Sequence, residues 1–120
     1  MTTTTEQQAG KGPTRQLEEA LHAHFIRPED QLSPAGAGAI YLTEVTAPGS
    51  SRRADVVHVG LWQNRGAGRI DVCELKTSRP DFLRELADPA KAEAWWPYSS
   101  TFSLVVPHLS VAGPADLPEG

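Results

Sequence analysis

Apolar residues near the start of the chain recur every four positions. Leu17, Leu21 and Phe25 form one stripe, which predicts a helix over 15–26 with Thr14 as its N-cap and Pro28 closing it. After a loop at 31–38, rich in Ala, Gly and Pro, the period falls to two. Segments 39–46 (AIYLTEVT), 53–62 (RADVVHVGLW), 69–76 (RIDVCELK) and 101–106 (TFSLVV) read as strands. Pro48 to Ser51 turns the first into the second, and the loop QNRGAG at 63–68 joins the second to the third. Between the third and fourth, Ser78, Pro80 and Asp81 carry helix-start chemistry: a capping hydroxyl, a first-turn proline and an acid three residues after the cap. A short helix is predicted from there to about 87 and a second over 89–96.

The order helix, three strands, helices, strand predicts an α/β sandwich with an antiparallel meander at its centre. Residues 1–13, rich in Thr, Gln and Gly, are expected to be a disordered lead. The domain is expected over 14–111, with a loop-like tail over 112–120.

Composition narrows the setting. A chain of 120 residues builds one modest core. Its single cysteine, Cys73, excludes an internal disulfide and a four-cysteine zinc site. No apolar run approaches the ~20 residues that span a bilayer. The start lacks the basic-then-apolar pattern of a signal peptide. A reducing, cytoplasmic setting away from membranes is therefore expected. The net charge of −4 is unevenly spread: the stretch from Arg52 to Lys91 carries +2 and the remainder −6. Local potential steers a polyanion better than the total does, so the charge permits a nucleic-acid partner.

The candidate chemistry lies at Asp55 and Glu74-Leu75-Lys76. Side chains alternate along a strand, so Glu74 and Lys76 share a face with Val72 and Ile70, and Asp55 shares one with Val57, Val59 and Leu61. A hairpin folded about QNRGAG pairs Val57 with Val72, Val59 with Ile70, and Asp55 with Glu74. A bulge in the loop shifts this register by one and parts the acids. Directly opposed residues have Cβ atoms ~5 Å apart. Two carboxylates that close repel unless a cation lies between them. A hard divalent ion such as Mg²⁺ suits the pair, since it takes few protein carboxylates and keeps several waters. Lys76 stands beside them, and the Leu75 backbone carbonyl between acid and lysine is placed to complete the ion's shell. The helix start at Ser78 offers free N–H groups and a positive dipole end to a phosphate. Arg52, Arg53 and Arg79 are candidate contacts to a DNA backbone. A solvated charge pattern is the competing reading of all of these.

These residues resemble the PD-(D/E)xK nuclease superfamily. The stretches RRADVV, VCELKTSRPDF and WWPYSSTFSLVVP are most similar to the MmcB-type family of DNA-repair proteins. The resemblance covers about half the chain, from Arg52 to Pro107. It implies a restriction-endonuclease-like α-β-β-β-α-β core with Mg²⁺, or Mn²⁺ in its place, at Asp55 and Glu74. Lys76 is then the catalytic lysine and DNA the partner, in cleavage or in binding alone. It also implies a metal-site role for Glu18 on the first helix, where a solvated acid is the alternative. A functional role for Lys91 follows too, although Ala92 stands where the family carries an aromatic. The chain ends where family members continue into another strand, so either a truncated C-terminus or a sheet edge finished by something else is expected. The oligomeric state is left open, a homodimer included.

Four other sets of residues carry plainer expectations. His22 and His24, two apart on a helix, are expected at the surface. His58 is expected at the core edge and Cys73 as a small buried hydrophobe. Trp95, Trp96 and Tyr98 are expected to pack against the sheet rather than stack on bases.

Overall fold

The structure, a computed structural model, describes residues 12–116, with the side chain of Pro114 excepted. The expected lead lies outside the described residues apart from Gly12 and Pro13, which belong to the first helix. Helix α1 spans Pro13–Phe25 with Gly12 as its N-cap. Thr14 is thus inside the helix rather than capping it. Pro13 takes the first position, where a missing N–H costs no hydrogen bond. Pro28 does not simply close α1; it opens a one-turn helix α2, Pro28–Gln31.

Four strands follow the period-two pattern: β1 Ala39–Thr46, β2 Arg53–Gly60, β3 Ile70–Leu75 and β4 Thr101–Val105. Helices α3 (Arg79–Leu86) and α4 (Ala90–Trp95) connect β3 to β4. The sheet order is β1-β2-β3-β4. The first three strands form an antiparallel meander, and β4 runs parallel to β3. This is an α/β fold with a four-stranded mixed sheet flanked by helices. Val57 pairs with Val72 and Val59 with Ile70, the register expected of the hairpin.

Strand β2 stops two residues short of its predicted end. The N–H groups of Leu61 and Trp62 both donate to Gly38 O, at 2.9 and 3.0 Å, and so leave the ladder. Gln63–Arg65 then forms a 3₁₀ turn.

Each sheet face is buried by a different helix. Val57 and Val72, with Ala47 and Ala54, pack against Trp95 of α4. On the opposite face, Val56 and Cys73 pack against Leu21 of α1, with Phe25 and Tyr41 beside them. Phe82 of α3, wholly buried, joins Val111, Ala112, Leu104 and Val106. The start of the expected tail is therefore docked rather than loose. Arg79 reinforces it by donating to Val111 O and to both carboxylate oxygens of Asp116.

His58 is buried and stacks on Phe25 at 4.4 Å. Its Nδ1 lies 3.0 Å from Asp71 Oδ2, while Thr101 and Arg69 donate to Asp71 Oδ1. Burial acts against the Asp71 charge, but these hydrogen bonds outweigh it and hold the carboxyl below its usual range.

Candidate functional site

The site forms where the β2–β3 ladder ends. The last paired residues there are Val56 and Cys73. Beyond them, Asp55 Oδ2 accepts the Leu75 N–H at 2.8 Å. A side-chain oxygen thus takes up a strand amide, and this aims the Asp55 carboxylate at β3. Glu74, its neighbour in register, is wholly buried. Burial pushes the Glu74 carboxyl up to about 7, and the neighbouring Asp55 adds to this, while Lys91 opposes both. The Asp55 carboxylate thus lies against the backbone immediately after Glu74. Glu74 Oε1 is buried with no hydrogen-bond partner.

Two lysines and a third acid surround the pair. Lys76 follows β3, and its N–H donates to Val105 O at 2.9 Å. Its Nζ lies 3.7 Å from Glu85 Oε1 on α3. Lys91 of α4 donates to Glu74 Oε2 at 2.9 Å and lies 3.8 Å from Glu85 Oε1. Burial acts to discharge Lys91, but Glu74, Glu85 and Asp55 more than offset it and raise its pKa. Helix α3, which carries Glu85, is started by Ser78, whose hydroxyl accepts the Asp81 N–H at 3.3 Å.

Asp55, Lys76, Glu85 and Lys91 line an open cleft of about 460 Å³ together with Arg52, Arg53, Arg84, Glu44 and Asp88. Each arginine is paired: Arg52 with Asp88 at 2.6 Å, Arg53 with Glu44 at 3.5 Å, and Arg84 with Asp81. Glu44 has φ of 55°, uncommon for a residue with a Cβ. The β1–β2 pairing skips from Thr43↔Val56 to Val45↔Ala54, leaving Glu44 and Asp55 out of the ladder. The pleat of β1 is thus broken beside Asp55.

The structure brings Asp55, Lys76, Lys91, Arg52 and Arg53 to one cleft, with Glu74 buried behind it on Lys91. Other expected site residues lie elsewhere. Glu18 lines a separate pocket with His22 and Tyr41. There its charge adds to burial in pushing the Tyr41 hydroxyl up to about 12. Helix α1 packs through Leu21 on the Val56–Cys73 face, so the sheet separates Glu18 from Glu74. Arg79 is committed to Val111 and Asp116, and Ser78 to capping α3. Leu75 stands between the acid and the lysine with its N–H held by Asp55. His24 is exposed as expected, but His22 is half-buried, its ring edge-on to Tyr41 at 4.7 Å. Trp95 packs under the sheet, whereas Trp96 and Tyr98 are exposed. Cys73 is buried, and its thiol is pushed up to about 11, mainly by burial.

Sequence reasoning passed over Glu85. A signal was present: Glu85 lies three residues after Phe82, on the side of α3 that faces the core.

Two carboxylates neighbouring in register, one with an orphaned buried oxygen, fit a hard divalent cation that retains water. Among the described residues no group of three or more His, Cys, Asp or Glu is arranged to hold a metal. The fit thus rests on the pair alone.

No family model matches the chain, and no curated protein matches it. A solved structure, a protein of unknown function from Silicibacter pomeroyi, is similar with a TM-score of 0.57 and 23% sequence identity. The match covers 92% of this chain and 61% of that one, so this chain spans about three-fifths of that protein's length. The likeness supports the α/β fold. Among the described residues no helix is long and apolar enough to cross a membrane.

Proposed function

We propose that this chain is a nuclease-like domain with a restriction-endonuclease-like core, acting on DNA phosphodiesters in DNA repair. The observation that carries this reading is Asp55, held on the Leu75 amide next to the buried Glu74, with Lys76 and Lys91 at a cleft rimmed by arginines. Asp55 and Glu74 would hold Mg²⁺, or Mn²⁺ as a substitute, whose chemistry here is Lewis-acid activation of water and shielding of phosphate charge. Lys76 offers its ammonium to the charge that develops on the phosphoryl group. Glu85, 3.7 Å away, keeps that ammonium in the cleft. Arg52, Arg53 and Arg84 exchange their carboxylate partners for backbone phosphates, which bind a guanidinium in the same forked geometry.

The test is metal-dependent nicking of single-stranded, duplex and branched DNA. Asp55→Ala and Lys76→Ala are each expected to lower the rate by at least about a hundredfold. Equal rates in all three proteins overturn the assignment. One observation favours a second reading, a module that binds DNA or a repair partner without cutting: Lys91 already holds Glu74 Oε2. In that case no product forms with Mg²⁺ or Mn²⁺, and DNA affinity survives Glu74→Ala.

A further inference from the structure

Lys91 has no part in the chemistry proposed above, yet it holds the most deeply buried carboxylate of the site. Its Nζ lies 2.9 Å from Glu74 Oε2 and 3.8 Å from Glu85 Oε1. The Glu74 side chain is wholly buried and that of Glu85 nine-tenths so. Glu85 Oε1 has two ammonium groups nearby, Lys91 and Lys76, and a hydrogen bond from neither. It is an acceptor awaiting a donor.

We infer that Lys91 is the resident cation of the Asp55–Glu74 pair and passes to Glu85 when a divalent cation binds. The inference rests on the cation site proposed above. A buried carboxylate beside a second acid needs a positive charge, and without a metal ion Lys91 supplies it at Glu74. An incoming divalent ion repels the ammonium and competes for the same oxygen. A movement of about 1 Å turns the 3.8 Å contact with Glu85 into a charged hydrogen bond. The flexible four-carbon stem of lysine permits such a shift. Glu85 then carries both lysines, and both line the cleft where a phosphate would lie. No bond is made or broken; only the ion pairing changes.

Calorimetric titration of the full chain with Mn²⁺, without DNA, tests the exchange. Lys91→Met removes the competitor and is expected to tighten Mn²⁺ binding by at least about tenfold. Glu85→Gln removes the second seat and is expected to weaken binding about fivefold, but less than about twofold when Lys91→Met is also present. Lys91→Gln, which keeps a hydrogen bond to Glu74 without the charge, stands in if Lys91→Met does not melt cooperatively. Unchanged or weaker binding in the Lys91 variants overturns the exchange and leaves the cation site standing. So does an equal Glu85→Gln penalty in both backgrounds. If neither the wild-type chain nor any variant binds Mn²⁺, the cation site itself fails and the exchange with it.

Discussion

Glu74 shows how one buried residue ties stability to chemistry. Burial, and then Asp55, lift its carboxyl from an ordinary 4.5 to about 7 against the pull of Lys91. Folding therefore favours the protonated form. The stability this group contributes is fully present below about 4.5, declines as pH rises and is lost above about 7. Glu74→Gln, neutral at every pH, is expected to stabilise the fold by about 1–3 kcal/mol at pH 8 and hardly at all near pH 4.5. Urea unfolding at the two pH values checks this; an equal effect at both contradicts it. At this scale the sequence was informative where a short-range rule applied. Period-two alternation and the midpoint of one loop sufficed to set Asp55 against Glu74. They did not reveal that Asp55 reaches the Leu75 amide, because that depends on where the ladder ends. Nor did they reveal Glu44, whose positive φ belongs to no sequence pattern.

Among the elements, β1 has its predicted bounds, and β2, β3 and β4 differ from theirs by one or two residues at an end. The fraying has identifiable causes, such as the capture of the Leu61 and Trp62 amides by Gly38. The turn that follows requires Gly60: a Cβ there would overlap the carbonyl oxygens of Gly66 and Arg65. Gly60→Ala is expected to cost about 2–3 kcal/mol, since the obstruction is backbone and cannot rotate away. Ser78→Ala, which removes only the α3 cap, is expected to cost about 1 kcal/mol. Denaturant midpoints should rank the two in that order, and the reverse order would contradict the packing described here. The Ser78 cap was legible because capping is local. The Gly12 cap of α1 was missed because Pro13 at the first helical position competes with the hydroxyl signal of Thr14.

For the molecule as a whole, the cleft gathers Arg52, Arg53, Lys76, Arg84 and Lys91 among four acids, and each rim arginine is paired with an acid. DNA binding must replace those pairs with phosphates. Arg52→Ala and Arg53→Ala are each expected to reduce the salt dependence of DNA affinity by about one phosphate contact. Arg79→Ala, tied to Asp116 away from the cleft, is expected to leave that dependence unchanged. Affinity measured from low to moderate salt checks both, and a slope that changes only with Arg79 would place the interface elsewhere. Arg79 and Glu18 lie away from the cleft for the same reason. Their surroundings are set by segments far away in the chain, Val111–Asp116 in one case and the β1–β3 face in the other.

Strand and helix order and the hairpin register that sets Asp55 opposite Glu74 were determined by the sequence itself. Each follows from periodicity, turn chemistry or alternation over fewer than about thirty residues. Tertiary structure alone decided which face α1 covers, that α3 and α4 bring Glu85 and Lys91 to the acids, and that the arginines are already paired. These depend on how helices dock across a sheet, and docking is governed by burial summed over distant residues, which no local pattern records.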